Sequence, residues 1–356
     1  MALDYNTIQA IVNKKYMPKL VDNIFLKYSP LLAWLLKNSM ELEGRKLVVP
    51  IEYNDSGNTQ MVNAYDSISV VPAEIATAAE FEPKMAVASL VIDKQEEIKT
   101  RTPLAIKTMV DTKMTNVEKS FANSLSRAMY KLPESDGSME DASLFNSVPY
   151  LANDVVGEAV GGITPGTSYT WWLGKVFEAA DFTGAFTRAD MIDSSKDTYL
   201  KTLFQTLLAI VKFRKSSGDV LLLVPQYVWD IFEYILDSQK QGSPLNEKKG
   251  LSGFDTLYFR NAMVVADDAM IAEQGGDTGE VYCLNSEYLK FAFSPGAKMA
   301  SDDFIGTQNA MTKVKKFYTM GNLVTSARNT LARLHGVASP EAYVNPGSSK
   351  EIQAAS

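Results

Sequence analysis

The sequence predicts an α+β fold. Three observations carry that prediction. Residues 102–133 repeat apolar side chains with a helical period. Residues 193–294 alternate helix and strand signals around the apolar run "VLLLVP". Ahead of both, residues 45–93 read as extended chain with turn signals and few large apolar groups. The chain has 356 residues, 46% hydrophobic and 22% charged, an ordinary globular composition long enough for two or three substructures with sizeable cores.

Residues 1–44 are mixed. "SPLLAWLLKNSM" (29–40) reads as a short amphipathic helix opened by Ser29 and Pro30. It either packs on the body or belongs to an arm that reaches a neighbouring subunit. From Arg45 to Asp93 the segments "RKLVVPIEY" and "MAVASLVID" are rich in β-branched residues and read as two strands. Between them lie the turn formers "NDSGN" (54–58) and "NAYDSISVVPAE". Such a segment lacks a core of its own. It lies on its parent domain, or it projects as a two-stranded flap that needs a partner surface.

The helix over 102–133 is the clearest element. Thr102 is its expected N-cap, Pro103 its first residue and Pro133 its stop. Met109, Val110, Met114, Val117, Phe121, Leu125, Met129 and Leu132 form the apolar stripe, and Lys107, Asp111, Lys113, Glu118, Lys119 and Arg127 the other faces. Its length, roughly 45 Å, suggests a flat, elongated body. "LPESDGSMEDASLFNS" is a connecting loop, followed by "GGITPGTSYTWW" (161–172). A helix over 193–219 is capped by Asp193 and stopped by Gly218. "VLLLVP" is a buried strand, "QYVWDIFEYILDSQK" an amphipathic helix, and "TLYFRNAMVVADD" and "EVYCLNSEYLKFAFS" strands. Residues 311–337 read as two strands turning at Gly321–Asn322, and the tail from Ala338 as frayed.

Catalytic chemistry is hard to find. One cysteine, Cys283, permits no intrachain disulfide, and with one histidine, His335, there is no zinc site of the usual Cys/His type. A net charge of −7 disfavours sequence-reading nucleic-acid binding. No signal peptide is visible and no apolar run is long enough to span a bilayer, so a soluble protein made in a reducing compartment is expected. Gly161, Gly162 and Gly166 are spaced like a phosphate loop, but Thr167 stands where the lysine is needed and Pro165 removes an amide donor. Asp267–Asp268 and Asp302–Asp303 read as solvated loop ends or turn caps rather than acid/base pairs. His335 reads as a surface histidine, and "KVKKFY" (313–318) is too short a basic patch for nucleic acid. No catalytic residue, cofactor or metal is therefore expected.

The order of elements resembles that of the major capsid proteins of tailed bacteriophages, whose fold is shared with the encapsulin shell proteins. "GGITPGTSYTWW" resembles a "GGI…W" signature of one branch of that family. "VYCLNSEYLKFAFSP" is similar to its late strand pair, and "LARLHGV" to its closing strand that returns to the peripheral domain. The resemblance spans residues 1–337. It implies an N-terminal arm (1–44), an extended two-stranded hairpin loop (45–93) and a peripheral domain with a long spine helix (94–139 and 300–337). It also implies an α/β axial domain (140–299) and leaves a flexible tail (338–356).

The function it implies is a shell protein, not an enzyme, that self-assembles through hexamers and pentamers into an icosahedral phage head around double-stranded DNA. The protein would be made in the host cytoplasm and reside in the virion capsid. The implied partners are further copies of itself, a separate scaffolding protein, a portal, cementing proteins, and DNA enclosed without sequence-specific binding; no membrane is involved. Some capsid proteins of this fold carry a removable assembly domain ahead of the arm, and only residues 1–44 precede the loop here, so the resemblance implies a separate scaffold or a shell that assembles without one. The alternatives are an encapsulin-type compartment and, from another class, a hydrolase using His335 and an acidic residue. Under the resemblance the flap reading of 45–93 gains weight, and the inter-subunit candidates are Asn54, Asp55, Gly57, Tyr65, Trp171 and Trp172. One tryptophan is expected in the core and one at a contact surface, because neighbours on extended chain point to opposite faces; both being core residues is the plain alternative.

Overall fold

The computed structural model describes residues 29–55, 57–63, 74–95, 103–139, 141, 143–166, 169–178, 198–212, 218–238, 257–260, 262–274, 278–306 and 311–338. The arm before Ser29, the caps at Thr102 and Asp193 and the tail beyond Ala338 lie outside the described residues.

Helix α1 spans Pro30–Lys37, capped by Ser29, whose hydroxyl accepts from the Leu32 N–H at 3.4 Å. Pro30 through Leu35 are all buried, so this helix is embedded rather than half-exposed as its amphipathic reading suggests. Strand β1 (Met40–Glu41) follows, then β2 (Leu47–Glu52), β3 (Ala76–Phe81) and β4 (Lys84–Asp93). The hairpin is β2 with β3, in register from Leu47↔Phe81 to Glu52↔Ala76. The "MAVASLVID" segment is not its return strand. It forms β4, which belongs to a larger sheet. The weakly apolar "ATAAEF" pairs instead, because small alternating residues suit a strand lying flat on a body.

The long helix α2 runs Pro103–Tyr130, about 42 Å, and ends ahead of Pro133. Val110, Met114, Phe121, Leu125 and Met129 are buried as the periodicity predicts, whereas Leu132 lies past the helix end and is exposed. Short helix α3 (Val148–Leu151) is followed by a 3₁₀ turn at Thr170–Trp172 and β5 (Lys175–Glu178). Helix α4 (Thr198–Val211), β6 (Val220–Val224) and α5 (Gln226–Ser238) come next. Then "TLYFRNAMVVADD" gives two strands, β7 (Leu257–Phe259) and β8 (Ala262–Ala266), joined through Arg260 at φ 48°. Helix α6 (Asp268–Gln274) precedes β9 (Thr278–Asn285), β10 (Leu289–Phe293), β11 (Ala300–Ser301), β12 (Ile305–Gly306), β13 (Thr312–Thr325) and β14 (Ala332–Ala338).

Strand β13 runs straight through Gly321–Asn322, where the sequence suggested a turn. Gly321 is needed because a Cβ there would collide with the Ala292 carbonyl of β10. Asn322 ties the strand down: its Oδ1 accepts from Asn146 N–H at 2.8 Å and its Nδ2 donates to Glu82 O at 2.8 Å. The reversal comes later, at a 3₁₀ turn over Arg328–Thr330.

Two sheets result. The first orders β1–β10–β13–β11, with β12 and β4 also pairing on β13; the second orders β5–β14–β9–β6–β8–β7. Strands β9 and β10 are therefore not a pair: the chain crosses between sheets at Ser286–Tyr288. Likewise "LARLHGV" closes the second sheet, not the one that carries α2, because Ala332, Leu334 and Val337 fill that sheet's apolar face.

Every residue of β6 is buried because both faces of the second sheet are covered. Leu221 and Leu223 face a core shared with α1, α2 and the first sheet. Val220, Leu222 and Val224 face a second core beneath α4 and α5.

Candidate assembly surface

The hairpin is clamped at its base and exposed beyond it. Leu47 and Ile51 of β2, with Ala79 and Phe81 of β3, turn one face into the main core. The strands thus lie on their own body, against the flap expectation. The last backbone bonds go to Ile75 O, from Tyr53 N–H at 3.1 Å and Asn54 N–H at 3.5 Å. Here Asn54, Asp55 and Gly57 are all exposed, Asn54 Oδ1 accepts from the Asp55 N–H at 3.0 Å, and Gly57 takes φ 64°. Met61 is 100% exposed. Tyr65 lies outside the described residues.

The connector "GGITPGTSYTWW" fastens the hairpin base from the other side. Val160 and Ile163 exchange backbone hydrogen bonds at 3.1 and 3.3 Å across Gly161 (φ 62°) and Gly162 (φ 75°), the positive-φ pair that a tight two-residue hairpin demands. Gly161 O accepts from the Glu80 N–H of β3 at 2.8 Å, and a side chain at Gly161 would press on Ala79 and Phe81. Trp171 and Trp172 sit on the 3₁₀ turn, so their side chains diverge by about 120° rather than opposing each other as on extended chain.

The two indoles still part company. Trp172 is 0% exposed and its Nε1–H donates to Val160 O at 2.9 Å. Trp171 is half-buried and stacks on Tyr53, with ring centroids 5.0 Å apart at 10°; Tyr169 meets both rings edge-on at 6.1 Å. An aromatic chain thus runs from the buried connector to the residue where the exposed loop begins.

Arg328 fixes the connector from below. Its guanidinium, 0% exposed, donates to Leu151 O (2.9 Å), Trp172 O (2.9 Å) and Asn153 O (2.8 Å). Burial pushes its pKa down to about 10. Nothing in "SARNT" marks such a residue, since its partners lie far away in sequence. Tyr53 was equally unmarked.

A second exposed feature lies on the first sheet. Met85, Val87 and Val91 of β4 alternate outward, opposite Met320, Tyr318 and Val314 of β13, and Ile305 of β12 extends the row across Val314. This apolar stripe faces away from the core.

The sites weighed for catalysis follow the sequence reading in part. Asp267 is a turn cap, accepting from the Ala269 N–H at the start of α6, but it is not solvated: it is 2% exposed and also accepts from the Ser29 and Tyr130 hydroxyls. Asp302 and Asp303 are exposed between β11 and β12. His335 Nε2 lies 3.5 Å from Glu178 Oε1 across the β14–β5 pair. Burial pushes the Cys283 thiol far up, away from a reactive thiolate. The basic run "KVKKFY" is the first half of β13, with Lys315 buried beside the rings of Phe304 and Phe317. Among the described residues no cluster of histidine, cysteine or carboxylates is placed to hold a metal, and no helix is long and apolar enough to cross a membrane.

No protein-family model matches the chain, and no curated protein matches it. Solved structures do. The chain in the capsid asymmetric unit of cyanophage A-1(L) superposes with a TM-score of 0.58 at 12% identity, over 88% of this chain and 94% of that one. The capsid chain of a native GTA particle gives 0.52 at 10% identity, over 86% and 90%. With likenesses that run nearly the full length of both partners, this chain has the fold of the phage capsid proteins.

Proposed function

We propose that this chain is a major capsid protein that self-assembles through pentamers and hexamers into an icosahedral phage head enclosing double-stranded DNA. In this reading the first sheet with α2 is the peripheral domain. The second sheet with α4 and α5 is the axial domain, and residues 54–63 belong to the loop that reaches a neighbour. The role is structural, with no catalytic residue. Scaffolding, portal and cementing proteins are its expected partners, and its destination is the virion capsid after synthesis in the host cytoplasm.

One observation carries the reading. A chain whose core is complete nevertheless presents a fully exposed Met61 on a loop and an apolar stripe of Met85, Val87, Val91 and Ile305. Apolar surface of this kind on a monomer marks an interaction site. Self-association on a capsid fold gives it an occupant. A net charge of −7 repeated over many copies is also consistent with a shell that does not trap the packaged DNA by charge.

Electron microscopy of the purified protein, with analysis of particle contents, tests this. Closed shells, and DNA in particles from infected cells, are expected. Particles filled with a cellular enzyme would indicate an encapsulin compartment. A strictly monomeric species in light scattering, at all salt and protein concentrations, would contradict the reading.

A further inference from the structure

Among the described residues, the strands at the margins of the two six-stranded sheets are short, with one exception. Strands β1, β11 and β12 have two residues each, β7 three and β5 four. Strand β4 has ten, paired to β13 alone over ten successive rungs without a bulge. The Lys94 N–H donates to Met311 O at 2.9 Å, and the rungs alternate from there. The backbone groups of Lys84, Ala86, Ala88, Leu90 and Ile92 therefore turn toward β13, and those of Met85, Val87, Ser89 and Val91 turn away from it. Lys113 Nζ of α2 reaches the strand from that outer side, donating to Val91 O at 3.0 Å. The amides of Met85, Val87, Ser89 and Val91 have no partner among the described residues. The side chains of the same four residues are exposed.

Folded proteins guard such an edge with a proline, a charge or a bulge. Residues 85–92, "MAVASLVI", contain none of these. The guards stand only at the ends, where Pro83 and Lys84 precede the run and Asp93 closes it.

We propose that β4 is a strand-pairing edge and that its occupant is β4 of a second copy, antiparallel about a two-fold axis at Ala88. The proposal rests on the self-assembling reading given above. Three features select this occupant. With the axis at Ala88, Met85 stands opposite Val91 and Val87 opposite Ser89 of the second copy, so the four unpaired amides of each copy are met by the same four residues of the other. Antiparallel pairing sets the Lys84 end of one copy beside the Asp93 end of the other, whereas parallel pairing would set like ends together. On the face toward α2, the residues nearest the axis are Ala86 and Ala88, too small to hold the strands apart. The exposed loop of a neighbour fits less well. Gly57 turns it at φ 64°, and Met61 and Val62 are adjacent, so on extended chain they point to opposite faces.

The test uses the full-length chain, whose native Cys283 is buried. Val87→Cys and Ser89→Cys chains, one carrying a tag that changes its mass, are mixed before assembly, and the shells are oxidised with diamide. In the proposed pairing the two positions face each other at a Cα separation of about 5.5 Å, within disulfide reach, so a covalent heterodimer is expected. Met85→Cys alone should give no dimer, because its two copies stand about 20 Å apart along the paired strands. Shells that form without the heterodimer, or that link Met85→Cys as readily, would overturn the pairing and leave the capsid reading standing. So would a link from Ser89→Cys to Met61→Cys, which would give the edge to a neighbour's loop. Chains that stay monomeric at every concentration would contradict both. If a cysteine variant fails to fold, Val87→Pro decides. It deletes one outward amide and spares the β13 ladder. Its unfolding should match wild type, while the concentration needed for assembly rises about tenfold. An unchanged assembly concentration would overturn the proposal.

Discussion

The strands of the hairpin and the loop they carry lie next to each other in the chain and differ in every physical respect. In β2 and β3 one face is buried in the main core, through Leu47, Ile51, Ala79 and Phe81. In the loop, Asn54, Asp55 and all of residues 57–63 are exposed. The boundary falls at Tyr53, whose N–H bonds Ile75 O, as the Asn54 N–H also does, and whose ring stacks on Trp171. The tryptophan pair repeats the contrast on a smaller scale, with Trp172 sealed inside and Trp171 at the rim. In the proposed role the chain binds copies of itself through surface that its own core does not need. Segregating core and contact residues this sharply lets each be altered without the other.

The largest expected effect lies on the core side. Trp172→Ala removes a fully buried indole and one of the two donors to the Val160 carbonyl; chemical denaturation of the unassembled protein should show a loss of about 3–5 kcal/mol. Arg328→Met comes next. It removes a donor from three buried carbonyls, of which Asn153 O keeps the Gly174 N–H at 2.9 Å, and the same assay should register a loss on the order of 3 kcal/mol. A change near zero in either would mean the connector is not the anchor of the hairpin base.

Trp171→Ala should fall between core and loop. Loss of the Tyr53 stack should cost roughly 1 kcal/mol in the monomer while particle yield drops. Equal destabilisation by both tryptophan substitutions would erase the distinction drawn between them and leave "GGITPGTSYTWW" a connector closed by two core residues.

How much of this the sequence disclosed follows from how local each cause is. The α2 periodicity, the buried run of β6 and the Ser29–Pro30 start of α1 depend on neighbours a few residues away, and they were legible. Gly321–Asn322 misleads because the same two residues that make turns also serve close strand packing and side-chain tethering. The partners of Arg328, and the Ser29 and Tyr130 hydroxyls that bind Asp267, lie more than a hundred residues off, so no local pattern marks those contacts. The sheet assignments of β10 and β14 fail for the same reason: an apolar strand does not state which of two sheets it joins. Of the contact candidates, Asn54, Asp55 and Gly57 were readable as turn formers, whereas Tyr53 and the Met85–Val87–Val91 stripe emerge only from the pairing register.

On the contact side, Val87→Lys in the outward stripe should leave monomer stability within about 0.5 kcal/mol and reduce assembly, read by light scattering. The most direct measurement pairs two readouts on a protein whose loop is shortened between Asn54 and Asn63: denaturation of the unassembled chain and counting of shells by electron microscopy. The account predicts unfolding indistinguishable from wild type and no closed shells. Normal shells from the shortened chain, or a monomer that no longer folds, would contradict it.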